Sequence, residues 1–138
     1  MKRHRLIYFI APTFLILADC SDNIISECQV CTDNVPAAKT TFADIQQNIF
    51  NVSCISCHSG GQPTGGLDLS EGASYDNLVN KKSNASSLNR VEPFNSSNSY
   101  LIKALEGMGA PLMPPGIGLS QAKIDSIISW INRGAAYD

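Results

Sequence analysis

Apolar positions along the chain first form one unbroken block and later settle into short helical stripes. The block runs from Leu6 to Ala18. From Thr41 onward the spacing changes to steps of three and four. Phe42, Ile45 and Ile49 share one face, with Thr41 placed as an N-cap and Asp44 in the first turn, which predicts a helix over 41–50. A second helix is predicted over "SEGASYDNLV" (70–79), capped by Ser70 with Glu71 in its first turn. A third fits "SNSYLIKALEG" (97–107), with Tyr100, Leu101, Ala104 and Leu105 on one face and Gly107 as its stop. The last, "SQAKIDSIISWINRG" (120–134), runs from Ser120 to Gly134. Ile124, Ile127, Ile128 and Ile131 form its stripe, and Trp130 lies off centre, where it would cover a neighbouring helix. No strand-like alternation competes with these patterns. The expected fold is all-α, with three to four short helices joined by long loops.

The N-terminal block carries Lys2, Arg3 and Arg5 ahead of it. A basic start followed by a short apolar run reads as a secretory signal; Pro12 and the length argue against an uncleaved anchor helix. "LADC" (17–20) resembles the lipobox of bacterial lipoproteins, in which the cysteine becomes the lipidated first residue. Asp19 occupies a place where a small residue is usual, so ordinary signal cleavage is the alternative. The expected organisation is a signal peptide over 1–19, a tether over 20–40 and a domain over 41–138. Extended, a tether of about twenty residues reaches roughly 65 Å. The resemblance places the protein on the periplasmic or cell-surface side of a bacterial membrane, held by lipid on Cys20.

Removal of 1–19 takes away three basic residues and one acidic one, which moves the formal net charge from −2 to −4. An acidic chain without a basic cluster is a poor nucleic-acid binder and favours a partner with a basic face.

The loops raise a packing problem. "HSGGQPTGGLDLS" (58–70), the polar stretch 80–97 and "MGAPLMPPGIG" (108–118) together leave little side-chain surface for a core. A large apolar cofactor would supply it. "CISCH" (54–58) supplies the chemistry: Cys-x-x-Cys-His is the attachment signature of c-type haem. Cys54 and Cys57 can each form a thioether with a haem vinyl group, and His58 can serve as the proximal iron ligand. A redox dithiol would expect a βαβ context, and a zinc site would need more ligands than the domain offers. For the distal position, Met113 sits between prolines in "PLMPPG", whereas Met108 lies in a loose glycine-flanked stretch; Met113 is favoured and Met108 is the alternative. "CQVC" (28–31) lacks a following histidine, so Cys28 and Cys31 read as a local disulfide, with a functional redox dithiol as the alternative.

With those pieces in order, residues 41–138 resemble small bacterial class I cytochrome c domains, including the planctomycete-type group. The matching stretches are "CISCH", "GLDLS" with Tyr75 and Leu78-Val79, then Val91 and Pro93, "SYLIKAL", "MPPG" and "LSQAKIDSIISWINRGA". The resemblance implies a cytochrome c-like fold around one covalent haem c, with Cys54 and Cys57 as anchors and His58 and Met113 as axial ligands. It also implies that the first and last helices cross, with Phe50 meeting Trp130 or Ile131. The function expected is electron transfer between redox donor and acceptor proteins, with no catalysis by the protein itself. An open distal site, as in a haem-based ligand sensor or a peroxidase-like component, is the alternative.

Overall fold

The computed structural model describes residues 39–138. The signal segment, Cys20, Cys28, Cys31 and all of the tether but its last two residues lie outside the described residues. Within them the chain is helical, with no strand: Val79–Val91 and Lys82–Asn89 are isolated bridges. None of the described helices is long and apolar enough to cross a membrane.

Helix α1 (Phe42–Ile45) begins at the expected cap. Thr41 Oγ1 accepts from the Asp44 amide at 3.1 Å, and Asp44 Oδ2 accepts from the Thr41 amide at 3.0 Å. The backbone bond from Thr41, then its hydroxyl, holds the Asp44 carboxyl below its ordinary value. The helix widens into a π-helical segment over Gln46–Phe50 and returns to α form in α2 (Asn51–Ser53). The wider turn alters which residues share a face, and Phe50 joins the lining of a cavity.

Helix α3 (Ser74–Leu78) starts four residues later than the predicted Ser70 cap. Gly72 has φ +86, which breaks the helical turn, and the Ser70 hydroxyl donates back to Asp68. A 3₁₀ turn (Ser96–Asn98), capped by Asn95, leads into α4 (Tyr100–Glu106), which ends where expected at left-handed Gly107. Helix α5 (Gln121–Asn132) occupies the predicted span. Ser120 is its N-cap, with the carbonyl accepting from Ile124 and no side-chain cap bond.

Helices α1 and α5 pack together. The ring that meets Trp130 is Phe42, at 5.4 Å between centroids; Phe42 also lies 5.2 Å from Tyr75 and 6.4 Å from Phe50. The resemblance had Phe50 at Trp130 or Ile131; all three belong to the same buried cluster, where Phe42 is the ring between Phe50 and Trp130. Trp130 is buried and donates to Ala136 O at 2.8 Å. The C-terminal turn then closes over the start of α1: Asp138 Oδ1 accepts from Phe42 N at 2.8 Å, and Asp138 O accepts from Ala43 N at 3.0 Å. Lys39 Nζ pairs with Asp138 Oδ2 at 2.9 Å, and Arg133 donates to Thr40 O. Two residues assigned to the tether are thus tied to the domain.

Candidate functional site

The turn after α2 carries the two thiols and the imidazole. Backbone hydrogen bonds hold it: Cys54 N donates to Phe50 O at 3.0 Å, Cys57 N to Cys54 O at 3.2 Å and His58 N to Cys54 O at 3.0 Å. Cys54, Cys57 and His58 all line one cavity of about 590 Å³. That volume falls in the range of small-molecule and cofactor sites.

The opposite elements complete the wall. The stripe predicted on α4 is real, but Tyr100, Leu101, Ala104 and Leu105 line the cavity; the buried positions of α4 are Ile102 and Leu105. Ile127 of α5 and Phe50 add apolar surface. The proline loop closes the remaining side with Pro111, Met113, Pro114 and Pro115. Met113 N donates to Ala104 O at 2.9 Å, which ties the loop to α4. Met113 also packs against the buried core. Met108 is 59% exposed and is not part of the wall.

Desolvation dominates the electrostatics at Cys54. Burial pushes the Cys54 thiol up to about 11, against a smaller opposing effect of the Lys123 charge. A thiol so raised is protonated at neutral pH, the reverse of the lowered pKa that a redox dithiol uses. Both cysteines are free thiols, with Cys54 half-buried and Cys57 exposed. Among the described residues no three His, Cys, Asp or Glu side chains converge as a metal cage. His58 Nδ1 is buried and has no hydrogen-bond partner. A native structure rarely leaves such an atom unmatched, so this imidazole suits a group received by the cavity. The donor set therefore fits haem c: two thiols and an imidazole on one wall, a thioether on another and apolar surface between.

The polar stretch 80–97 has a role that its composition hides. Val91 is fully buried, and Ser83, Asn84, Ala85 and Arg90 line the cavity. Arg90 is buried and donates to Asn77 O at 2.9 Å and Gly66 O at 3.0 Å. Burial lowers its pKa from the ordinary value, yet a guanidinium stays charged. Gly66 has φ +63, a left-handed backbone that favours glycine where the two loops meet. Gln46 is a second residue that the pattern hides. It reads as part of a polar helix face, yet it is buried and bonded on every side. Only its place one step from Ile45 hints at this.

Comparison with protein-family models, curated proteins and solved structures returned no match.

Proposed function

We propose that residues 41–138 form a class I, single-haem cytochrome c domain that carries electrons. The observation that supports this best is the placement of Cys54, Cys57 and His58 on one wall of a largely apolar cavity of about 590 Å³, with Met113 on its lining. Haem c, when bound, supplies an iron that cycles between ferrous and ferric states. Cys54 and Cys57 would hold it through two thioethers, each S–H adding across one vinyl C=C with nothing lost. His58 would offer an imidazole nitrogen to the iron. Met113 would offer its thioether sulfur as the second protein ligand, on a loop that prolines stiffen and Ala104 O anchors. The apolar side chains of α4 and α5 keep water away, which favours a fast exchange of electrons with little rearrangement.

Cys20 carries the lipid in this reading, and the tether lets the domain reach donor and acceptor proteins away from the membrane. With a mature charge of −4, those partners present a basic face. Replacing Cys20 with Ser should move the protein from the membrane fraction to the soluble periplasm; a wild-type protein already soluble there contradicts the lipid anchor.

The reading is tested by the absorption spectrum of protein matured in a host able to attach haem c. A low-spin spectrum in both oxidation states is expected. A high-spin ferric spectrum with ready CO binding would instead favour the open-site sensor or peroxidase-like function, and a spectrum without haem would defeat both.

A further inference from the structure

The backbone of His58 is held by hydrogen bonds on both sides. Upstream, His58 N is fixed on Cys54 O. Downstream, His58 O accepts from Leu69 N at 2.7 Å, the tightest backbone bond in this region. Leu69 is buried and lines the cavity, and its own carbonyl accepts from Gln46 Nε2 at 3.0 Å.

Gln46 is in turn fully engaged. Its Nε2 also donates to Asn51 Oδ1 at 2.7 Å, and its Oε1 accepts from Ser74 Oγ at 2.5 Å. It lies at the first position of the π-helical segment, where Asn51 N donates to Gln46 O. One buried amide thus joins α1, the helix turn that leads to the haem motif, α3 and the peptide that clamps His58. A buried network with every member satisfied holds a single geometry, whereas an apolar side chain of the same size would leave Leu69 O unpaired.

We infer that Gln46 is a positioning residue for the axial histidine, acting through the Leu69 peptide. This rests on the haem reading above. Gln46 touches neither His58 nor the haem site itself: it is absent from the cavity lining. Its effect is to hold the peptide that holds the ligand. Loss of an outer-shell partner typically weakens a metal ligand by about 10- to 100-fold, and a partner acting through backbone belongs at the low end.

The experiment compares wild type, Gln46→Met and Gln46→Glu as haem-loaded full-length proteins. Gln46→Met keeps length and volume and removes every side-chain hydrogen bond. Gln46→Glu keeps the acceptor for Ser74 and replaces the amide donor, which guards against a Met variant that fails to fold. Tyr75→Phe serves as a stability control, since it removes only the 2.8 Å bond to Ala135 O. Both Gln46 variants should displace the paramagnetically shifted ring-proton resonances of His58 in the ferric protein. They should also raise the reduction potential by about 59 mV, the equivalent of a tenfold loss in the imidazole's preference for ferric iron. Tyr75→Phe should lower Tm and leave both readouts in place. Gln46 variants with lowered Tm but unchanged resonances and potential overturn the inference, leaving Gln46 a structural residue of an intact cytochrome. Wild-type protein whose mass shows no covalent haem overturns the inference together with the haem reading.

Discussion

Two regions of the domain are packed in different ways. Around Trp130, side chains meet side chains: Phe42, Phe50, Tyr75 and Ile131 fill the space between α1, α3 and α5, and the turn at Asp138 satisfies the first amides of α1. Around Met113, side chains from α4, α5 and three loops face a space of about 590 Å³. The first region is a core that the chain completes by itself. The second is a cavity that side chains line rather than fill, and the proposal is that haem occupies it. The difference separates what folding requires from what function requires. Truncations in the first region should act through stability, and those in the second through the properties of the bound group.

The largest effect is expected in the completed core. Trp130→Ala removes the ring that α1 and α5 share and should cost about 3–5 kcal/mol, enough to unfold most of a marginally stable domain. Thermal denaturation of wild type and variant measures it. A loss below about 1 kcal/mol would mean that the core around Trp130 repacks freely and that the two regions are not distinct.

A smaller effect on folding, with a sharp functional readout, is expected on the wall. Met113→Ala should abolish the near-infrared sulfur-to-iron charge-transfer band of the ferric protein, open the iron to CO and lower the potential by at least about 59 mV. Met108→Ala should change none of these, because its side chain is 59% exposed and away from the lining. Exchange of the two phenotypes would assign the ligand to Met108.

The two regions also differ in how much of them can be read from sequence. The core region follows from periodicity. Thr41, Asp44 and the Phe42–Ile45–Ile49 stripe appear as expected, as does α5 from its Ser120 cap onward. The wall was legible only where chemistry marks it, at Cys54, Cys57, His58 and Met113. Arg90 and Val91 lie in a polar, irregular stretch, and nothing local distinguishes a loop that lines a cavity from one that faces water. Gln46 was hidden for a related reason: a buried polar side chain on a helix looks like an exposed one until its partners, Leu69 and Ser74, arrive from elsewhere in the fold. The late start of α3 belongs to the same class, since Ser70 has the composition of a cap but Gly72 takes φ +86. On α4 the stripe was visible, but a stripe does not say whether protein or cofactor covers it.

The smallest effect concerns the cap of α1. Thr41→Ala should cost about 1 kcal/mol at neutral pH. Its bonds hold the Asp44 carboxyl below the ordinary value of 3.8, so that contribution is complete above 3.8 and is lost as pH falls through the lowered folded value. The stability gap between wild type and Thr41→Ala should therefore narrow on acidification below about pH 4. A gap that stays constant across that window in urea titrations would detach the cap from the Asp44 charge.

The central claim is that Cys54 and Cys57 hold one haem covalently in the cavity. The most direct measurement is the intact mass of the mature protein after acid–acetone extraction, for wild type and for Cys54→Ala/Cys57→Ala, both made in a haem c-maturing host. Wild type should retain the mass of one haem, and the double variant should retain none. An extracted wild-type protein at the mass of the bare polypeptide, or a double variant that still carries covalent haem, would contradict the account.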